Sequence, residues 1–243
     1  MNNIAYSSSG FADYYGIHRH QWDEYYESER FIMDAVFSKY DKPFSVLDVG
    51  CGCGGLGVAL SKRYNMRRYK GIDINAANIK VAKDTTSKDI QCDNEFELID
   101  ISEDCTKGGW DTVISFSCVD FNVDVYGMIK SCWEKVDNGG YFISSFRLTN
   151  AEGVNDIEKS FQWVGDHLEK ANYVVLNYHD LFHTILSLGQ VKSVDAYGYW
   201  GEPASSAVTD YDRLCFSVVA VRKESDTNNP ILNLKMPMDL FVD

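Results

Sequence analysis

No run of this 243-residue chain approaches the roughly 18 consecutive apolar residues that a membrane-spanning helix needs. The opening "MNNIAYSSSGF" has neither the basic start nor the apolar core of a secretory leader. Positive charge is scarce: 23 Lys and Arg face 36 Asp and Glu, a formal net charge of −13. Such a chain gains little from phosphate neutralisation, which supplies most nucleic-acid affinity. The densest basic run, "KRYNMRRYK" at 62–70, reads as a solvated helix end and the loop after it. Paired cysteine motifs are missing as well. Seven cysteines, an odd number, include Cys51-x-Cys53 but no C-x-x-C and no His/Cys cluster. That argues against structural zinc and a disulfide framework, and for reduced thiols. The expectation is a cytoplasmic protein with no bound metal, no membrane contact and no nucleic-acid partner.

What is present is a regular alternation. At 45% apolar and 24% charged the composition is that of a globular domain. Apolar positions from Trp22 to Tyr40 recur every three to four residues and predict a helix over 21–40, broken by "DKP". The runs "FSVLDVG", "YKGIDI", "FELIDI", "WDTVISFS" and "NGGYFISSFRL" read as strands. Between them "GLGVALSKRY", "NAANIKVAKDTTSK" (Asn75 as N-cap) and "DVYGMIKSCWEKV" read as helices. Alternation of this kind predicts a parallel sheet with helices on both faces. Residues 153–172 and "YHDLFHTILSLG" are expected to be helical. "VKSVDAYGYW" and "RLCFSVVAVRK" are separated by too few residues for a crossover helix, so this pair is expected to be antiparallel. Three segments result: an N-terminal lid and helix extension at 1–43, a core domain at 44–223, and a tail at 224–243. The tail's apolar residues can dock on its own subunit or a neighbour's.

The stretch "DVGCGCGGLG" at 48–57 packs five glycines and two cysteines directly after a buried strand. It satisfies G-x-G-x-x-G twice, so a dinucleotide is one candidate ligand. Either cofactor class wants glycine here, where a ligand meets bare backbone at a helix N-terminus. Asp48 weighs against a pyrophosphate, whose charge it would repel, and for a ligand carrying an ammonium and a sulfonium. The antiparallel final pair and the 45 or so residues before the loop point the same way.

At these residues the chain resembles the class I S-adenosylmethionine-dependent methyltransferases. "VLDVGCGCGGLGVAL" looks like their glycine motif, "YKGIDIN" their acidic second motif, and "WDTVISFS" with "NGGYFISS" their fourth and fifth strands. The resemblance spans residues 44–148 and, more weakly, 191–222. It implies a Rossmann-like, doubly wound α/β sheet of seven strands, parallel except for an antiparallel last strand, with an N-terminal helical lid. Carried over residue by residue, Gly50, Gly52 and Gly54 would let the backbone wrap the methionine moiety, with Cys51 beside it. Asp48 would order that end, Asp73 would accept the ribose hydroxyls, and Ile74 would pack on adenine. Asp100 would read the adenine amino group, Ile101 would cover the ring, and Ser117 would face the pocket. S-adenosyl-L-methionine is thus the expected cofactor and S-adenosylhomocysteine the product.

The acceptor is less legible. Adenine and glutamine amide methyltransferases resemble one another in an Asn- or Asp-Pro-Pro-aromatic motif after the fourth strand, where this chain has "SCVDFN". A small-molecule acceptor follows, contacted by the aromatic-rich "YYGIHRHQWDEYY", "FRLT" and "YGYWGEPASS" segments. Candidate acceptor residues are Tyr15, His18, Arg19, Arg147 and Tyr199. His20 and Asp120 are the favoured candidates for proton transfer, with His18, His179 and His183 also open. The expected reaction is O-methylation of a sugar, nucleotide-linked sugar or phosphorylated metabolite, in a surface-polysaccharide or secondary-metabolite pathway. Rivals are N-methylation of a small amine, a non-catalytic cofactor-binding partner subunit, and an NAD-dependent oxidoreductase. The chain is compatible with a homodimer.

Overall fold

The computed structural model describes residue 12 and residues 16–103, 108–164, 169–225 and 229–242. A 3-10 turn at Trp22–Glu24 leads into α1 (Glu27–Phe37), so the first helix is shorter than its periodicity suggests. Then come β1 (Phe44–Val49), α2 (Gly55–Arg63), β2 (Met66–Asp73), α3 (Ala76–Asp84), β3 (Asp93–Leu98) and β4 (Trp110–Ser115). After these lie α4 (Val125–Lys135), β5 (Val136–Thr149), β6 (Phe161–Val164), β7 (Glu169–Asn172) and β8 (Leu176–Asn177). α5 (Tyr178–Ser187), β9 (Val191–Gly201), β10 (Ala207–Val208), β11 (Leu214–Lys223) and β12 (Ile231–Lys235) complete the order.

The main sheet runs β12-β9-β11-β5-β4-β1-β2-β3, with β8 pairing the end of β5. β11 is antiparallel to both neighbours, and the other pairs are parallel. The chain winds outward through β2 and β3, then returns to β4 on the other side of β1. This reversal leaves a crevice at the carboxyl ends of β1 and β4, where open α/β sheets bind ligands. All six residues of β1 are buried, which fits a strand covered on both faces. On one face Ile32, Met33, Val36 and Phe37 of α1 share a core with Val46, Ile143 and Val218. On the other, α4 and α5 pack through Ile129 and Leu181 against Val113, Phe142 and Val219.

Two further features differ from expectation, and a third settles between alternatives. None of the described residues in 153–172 is helical: β6 and β7 form an antiparallel pair, extended by β10 into a second, three-stranded sheet. Ile157, Phe161 and Val164 mimic helical spacing, but the Asp156 carbonyl accepts the amides of Lys159 and Ser160 and closes a turn. The β-forming Phe-Gln-Trp-Val run then pairs across to β7. The basic run at 62–70 is mostly strand, and its charges are matched: Arg67 with Asp111 (2.8 Å), Arg68 with Glu95 (2.6 Å), Lys70 with Glu97 (2.7 Å). The tail docks on its own chain. β12 adds to β9, and beyond it Asp239 accepts the Trp200 indole N–H at 2.7 Å.

Among the described residues no helix is long and apolar enough to cross a membrane. Leu240, 0% exposed, plugs the core beneath β9. Truncation of a buried Leu costs about 2–5 kcal/mol, so Leu240→Ala should lower the urea midpoint of unfolding markedly. An unchanged midpoint would show that the tail does not belong to the cooperative unit.

Candidate active site

The crevice opens into a cleft of about 1240 Å³, counting its mouth, lined by the glycine loop and the ends of β2, β3 and β4. The amides of Gly50 and Cys51 both donate to the Ile72 carbonyl, at 2.8 and 3.0 Å, tying the loop to β2. Gly50 has φ +76°, and a Cβ there would collide with Cys118. Gly54, φ +83°, sits at the N-cap of α2 and does not line the cleft; a Cβ would lie 2.6 Å from Phe96. Its place is thus in the packing beneath the loop. The first amides of α2 receive no side-chain cap, which leaves donors at the loop's end for a ligand.

Three carboxylates mark the length of the cleft. Asp48 is fully enclosed, accepts the Tyr69 hydroxyl at 2.5 Å, and is pushed up to about 7 by burial against the pull of that hydrogen bond. Asp73 accepts the Gly52 amide at 2.8 Å and the Asn75 amide at 2.7 Å, one on each oxygen. Burial raises its pKa while those bonds oppose the shift. Asn75 caps α3, accepting from Ala77 N (2.8 Å) and Asn78 N (3.3 Å), and so fixes the turn that presents Asp73. Asp100 closes a turn by accepting the Ser102 amide and hydroxyl, at 2.9 and 2.8 Å. Ile74 stays 46% exposed at the cleft wall while Ile101 is buried. The thiols of Cys51 and Cys118 line the cleft too, and burial holds both well above the ordinary range, so they are neutral.

His18, Arg19, Ser117 and Phe121 also line the cleft, and the Arg19 charge acts on Asp48. Arg19 (φ 62°) and Ser117 (φ 50°) are two of the three non-glycine residues with positive φ among those described. Strain of this kind persists where surrounding structure imposes it. Arg19 bonds Glu29 at 2.7 Å and lies 4.4 Å over the Tyr25 ring.

Of the residues singled out from the sequence, His20 is not in the cleft; it borders a separate depression with Trp22 and Arg63. The Arg19–Gln21 turn passes so close to Gly55 that the His20 ring packs over the start of α2 instead. Asp120 and Arg147 lie outside the cleft as a buried ion pair, Nη1 to Oδ2 3.1 Å. Arg147 also donates to the carbonyls of Val174 (3.1 Å) and Asp120, and sits between the Phe121 and Tyr173 rings. Tyr199 likewise lies outside the cleft lining, on β9 beside Phe216. Tyr15 falls outside the described residues. Sequence reading passed over Asn78 and Met128 in the wall, and Glu29 behind Arg19. Asn78 carried a signal, three residues after an N-cap on the turn that faces the loop; Glu29 carried none.

The sequence profile of a family described as methyltransferase small domain matches residues 28–177. Ajmaline N-methyltransferase of Rauvolfia serpentina is 28% identical over 104 residues, 42% of this chain and 35% of that protein. The mitochondrial ubiquinone biosynthesis O-methyltransferase of Saccharomyces cerevisiae is 26% identical over 122 residues, 48% and 39% of the two chains. This chain therefore spans little more than a third of the length of these curated relatives. Among solved structures, phosphoethanolamine N-methyltransferase 2 of Haemonchus contortus, in complex with S-adenosyl-L-methionine, superposes with a TM-score of 0.63. The identity is 14%, covering 91% of this chain and 59% of that one, a likeness of fold.

The carboxyl of Asp48 sets a pH dependence. Its folded pKa of about 7 stands above the ordinary 3.8, so the native state favours the protonated form. Ligand-free stability should fall as pH rises from about 4 to about 7 and level off above, a contribution of up to about 4 kcal/mol. Asp48→Asn should lack this part of the slope and unfold at higher urea than the wild type at pH 8. Parallel pH curves for the two proteins would rule the burial effect out.

Proposed function

The chain belongs to the methyltransferase small-domain family, and we propose that it uses S-adenosyl-L-methionine to methylate a small polar acceptor on oxygen, releasing S-adenosylhomocysteine. The observation that carries the reading is Asp73. It ends β2 beside a glycine loop whose bare backbone leaves room for a ligand, and the loop's own amide is bonded to it. The Gly52 and Asn75 amides take one carboxylate oxygen each, Asn78 and the Ile74 amide add further bonds, and the carboxylate so held is oriented to accept a vicinal diol.

The rest of the cleft fits the same cofactor. Asp48, desolvated, favours a cationic amino group over a pyrophosphate, which speaks against a dinucleotide. The uncapped amides of α2 suit a carboxylate, and exposed Ile74 with Ile101 and Asp100 offers an apolar slot with one acceptor for a purine. S-adenosyl-L-methionine would supply a methyl group on a sulfonium sulfur, so the protein's task is alignment and proton removal. His18 is the imidazole that lines the cleft, with Nδ1 3.8 Å from Glu24, and takes the acceptor's hydroxyl proton in this reading. Ser117, held at φ 50°, and Phe121 would position the acceptor.

Among acceptors, a hydroxylated molecule such as a sugar fits better than a phosphorylated one. Arg147 is engaged by Asp120 and two carbonyls, and Arg19 by Glu29, so neither guanidinium offers the open fork that a phosphate seeks.

Isothermal titration with S-adenosylhomocysteine should show micromolar binding to the wild type. Loss of charged hydrogen bonds in Asp73→Ala should weaken it roughly 10- to 100-fold. No binding to wild type would sink the cofactor assignment.

A further inference from the structure

The strap ahead of α1 carries an acid that its own turn uses only in part. Glu24 is the third residue of the Trp22–Glu24 turn, whose N-cap is Gln21. Its Oε2 accepts two backbone amides, from Gln21 at 2.7 Å and from His20 at 2.8 Å. A glutamate at this position ordinarily serves the capping box alone. Here both amides fall on one oxygen, and Oε1 lies 3.8 Å from Nδ1 of His18. That contact is electrostatic, longer than a hydrogen bond, and contacts between a base and the acid that orients it tighten as a site fills. Burial works against ionisation of Glu24, but the amides of Gln21, Arg19 and His20 outweigh it and, with His18, hold the carboxyl below its ordinary range. At neutral pH both oxygens are therefore acceptors.

The chain between the two residues is fixed at several points. Arg19, φ 62°, reverses the strap between His18 and His20. The Tyr25 hydroxyl donates to the Arg19 carbonyl at 2.6 Å, and the Arg19 guanidinium bonds Glu29 at 2.7 Å. The same carbonyl abuts α2, 2.5 Å from where a Cβ of Gly55 would stand. His18 thereby lines the cleft, whereas Glu24 does not. The imidazole stands in front and the acid behind it.

We propose that Glu24 is a positioning residue that holds the proton of His18 on Nδ1, so that the lone pair of Nε2 receives the acceptor's hydroxyl proton. This rests on the methyl-transfer reading above for the reaction, but not for the tautomer. Which imidazole nitrogen carries the proton is set by the partner of the other. The proton leaves the acceptor oxygen for Nε2 while Nδ1 keeps its own. The imidazolium so formed faces an acid that is already ionised, which favours the transfer.

The test is the long-range proton–nitrogen NMR spectrum of the imidazole rings in the full chain. It is read at the alkaline plateau of a pH titration, where the rings are neutral. His18→Asn identifies the His18 signals among the five histidines. Wild-type His18 should be mainly the Nδ1–H tautomer. Glu24→Gln separates the acid's two roles. Its carbonyl oxygen can still accept the Gln21 and His20 amides, so the melting temperature should hold, while its NH2 group meets Nδ1 as a donor and should invert the ring to Nε2–H. A wild-type ring without a majority of the Nδ1–H form, or one tautomer shared by wild type and Glu24→Gln, would overturn the proposal. Should the variant fail to fold, the wild-type tautomer decides. S-adenosylhomocysteine binding is measured on the same samples; its absence would report failure of the cofactor reading and leave the tautomer result standing.

Discussion

A carboxylate buried in the cleft wall organises the cleft. Asp48 sits one residue from the end of the central strand, at the point where the winding of the sheet reverses, and its single described hydrogen bond comes from the Tyr69 hydroxyl. Tyr69 is itself fully buried, and its ring also limits how closely α2 approaches β2: a Cβ at Gly57 would lie 2.8 Å from it. One ring therefore sets the carboxylate's position and the height of the helix whose N-terminus closes the cleft. Moving Asp48 would mean moving β1, β2 and α2 together. This is how a loop of mostly glycine holds a definite shape, through its buried neighbours and not through side chains of its own.

The acceptor end depends on a different restraint. Arg147 projects from β5 to the turn that carries Phe121 and to the Val174 carbonyl, while the Val174 amide bonds the Asp120 carbonyl. Three segments distant in sequence are thereby joined: the turn after β4, the end of β5, and the stretch that follows β7. A buried ion pair adds little net stability over an apolar replacement, but it is directional. Here the direction fixes Phe121, which lines the cleft, relative to β5. Removing one partner would leave a charge stranded in the interior.

Much of the fold was legible because period and burial agree. β1, β4 and β5 are largely apolar runs between helices whose caps are written in the chain, Asn75 and Asp124 among them. The carboxylates of the cleft were legible for a related reason, since each ends a strand at the same edge of a parallel sheet. Residues 153–172 misled because three apolar residues at helical spacing outweighed a turn closed by backbone bonds, which no composition displays. His20 misled because a positive φ at Arg19 turns neighbouring side chains to opposite sides of the loop. Glu29 was invisible: an acid in the first turn of a helix ordinarily serves the helix dipole, and only tertiary packing buries it.

Asp48 and Asp120 share one electrostatic logic. Asp48 in the cleft wall and Asp120 outside the cleft are both raised by burial, so each carboxyl is costly to ionise. A ligand bringing positive charge to Asp48 would relieve that cost on binding. The folded state is accordingly less stable than an apolar version of the same sheet would be. That exchange explains why a strongly acidic chain keeps some of its carboxylates inside.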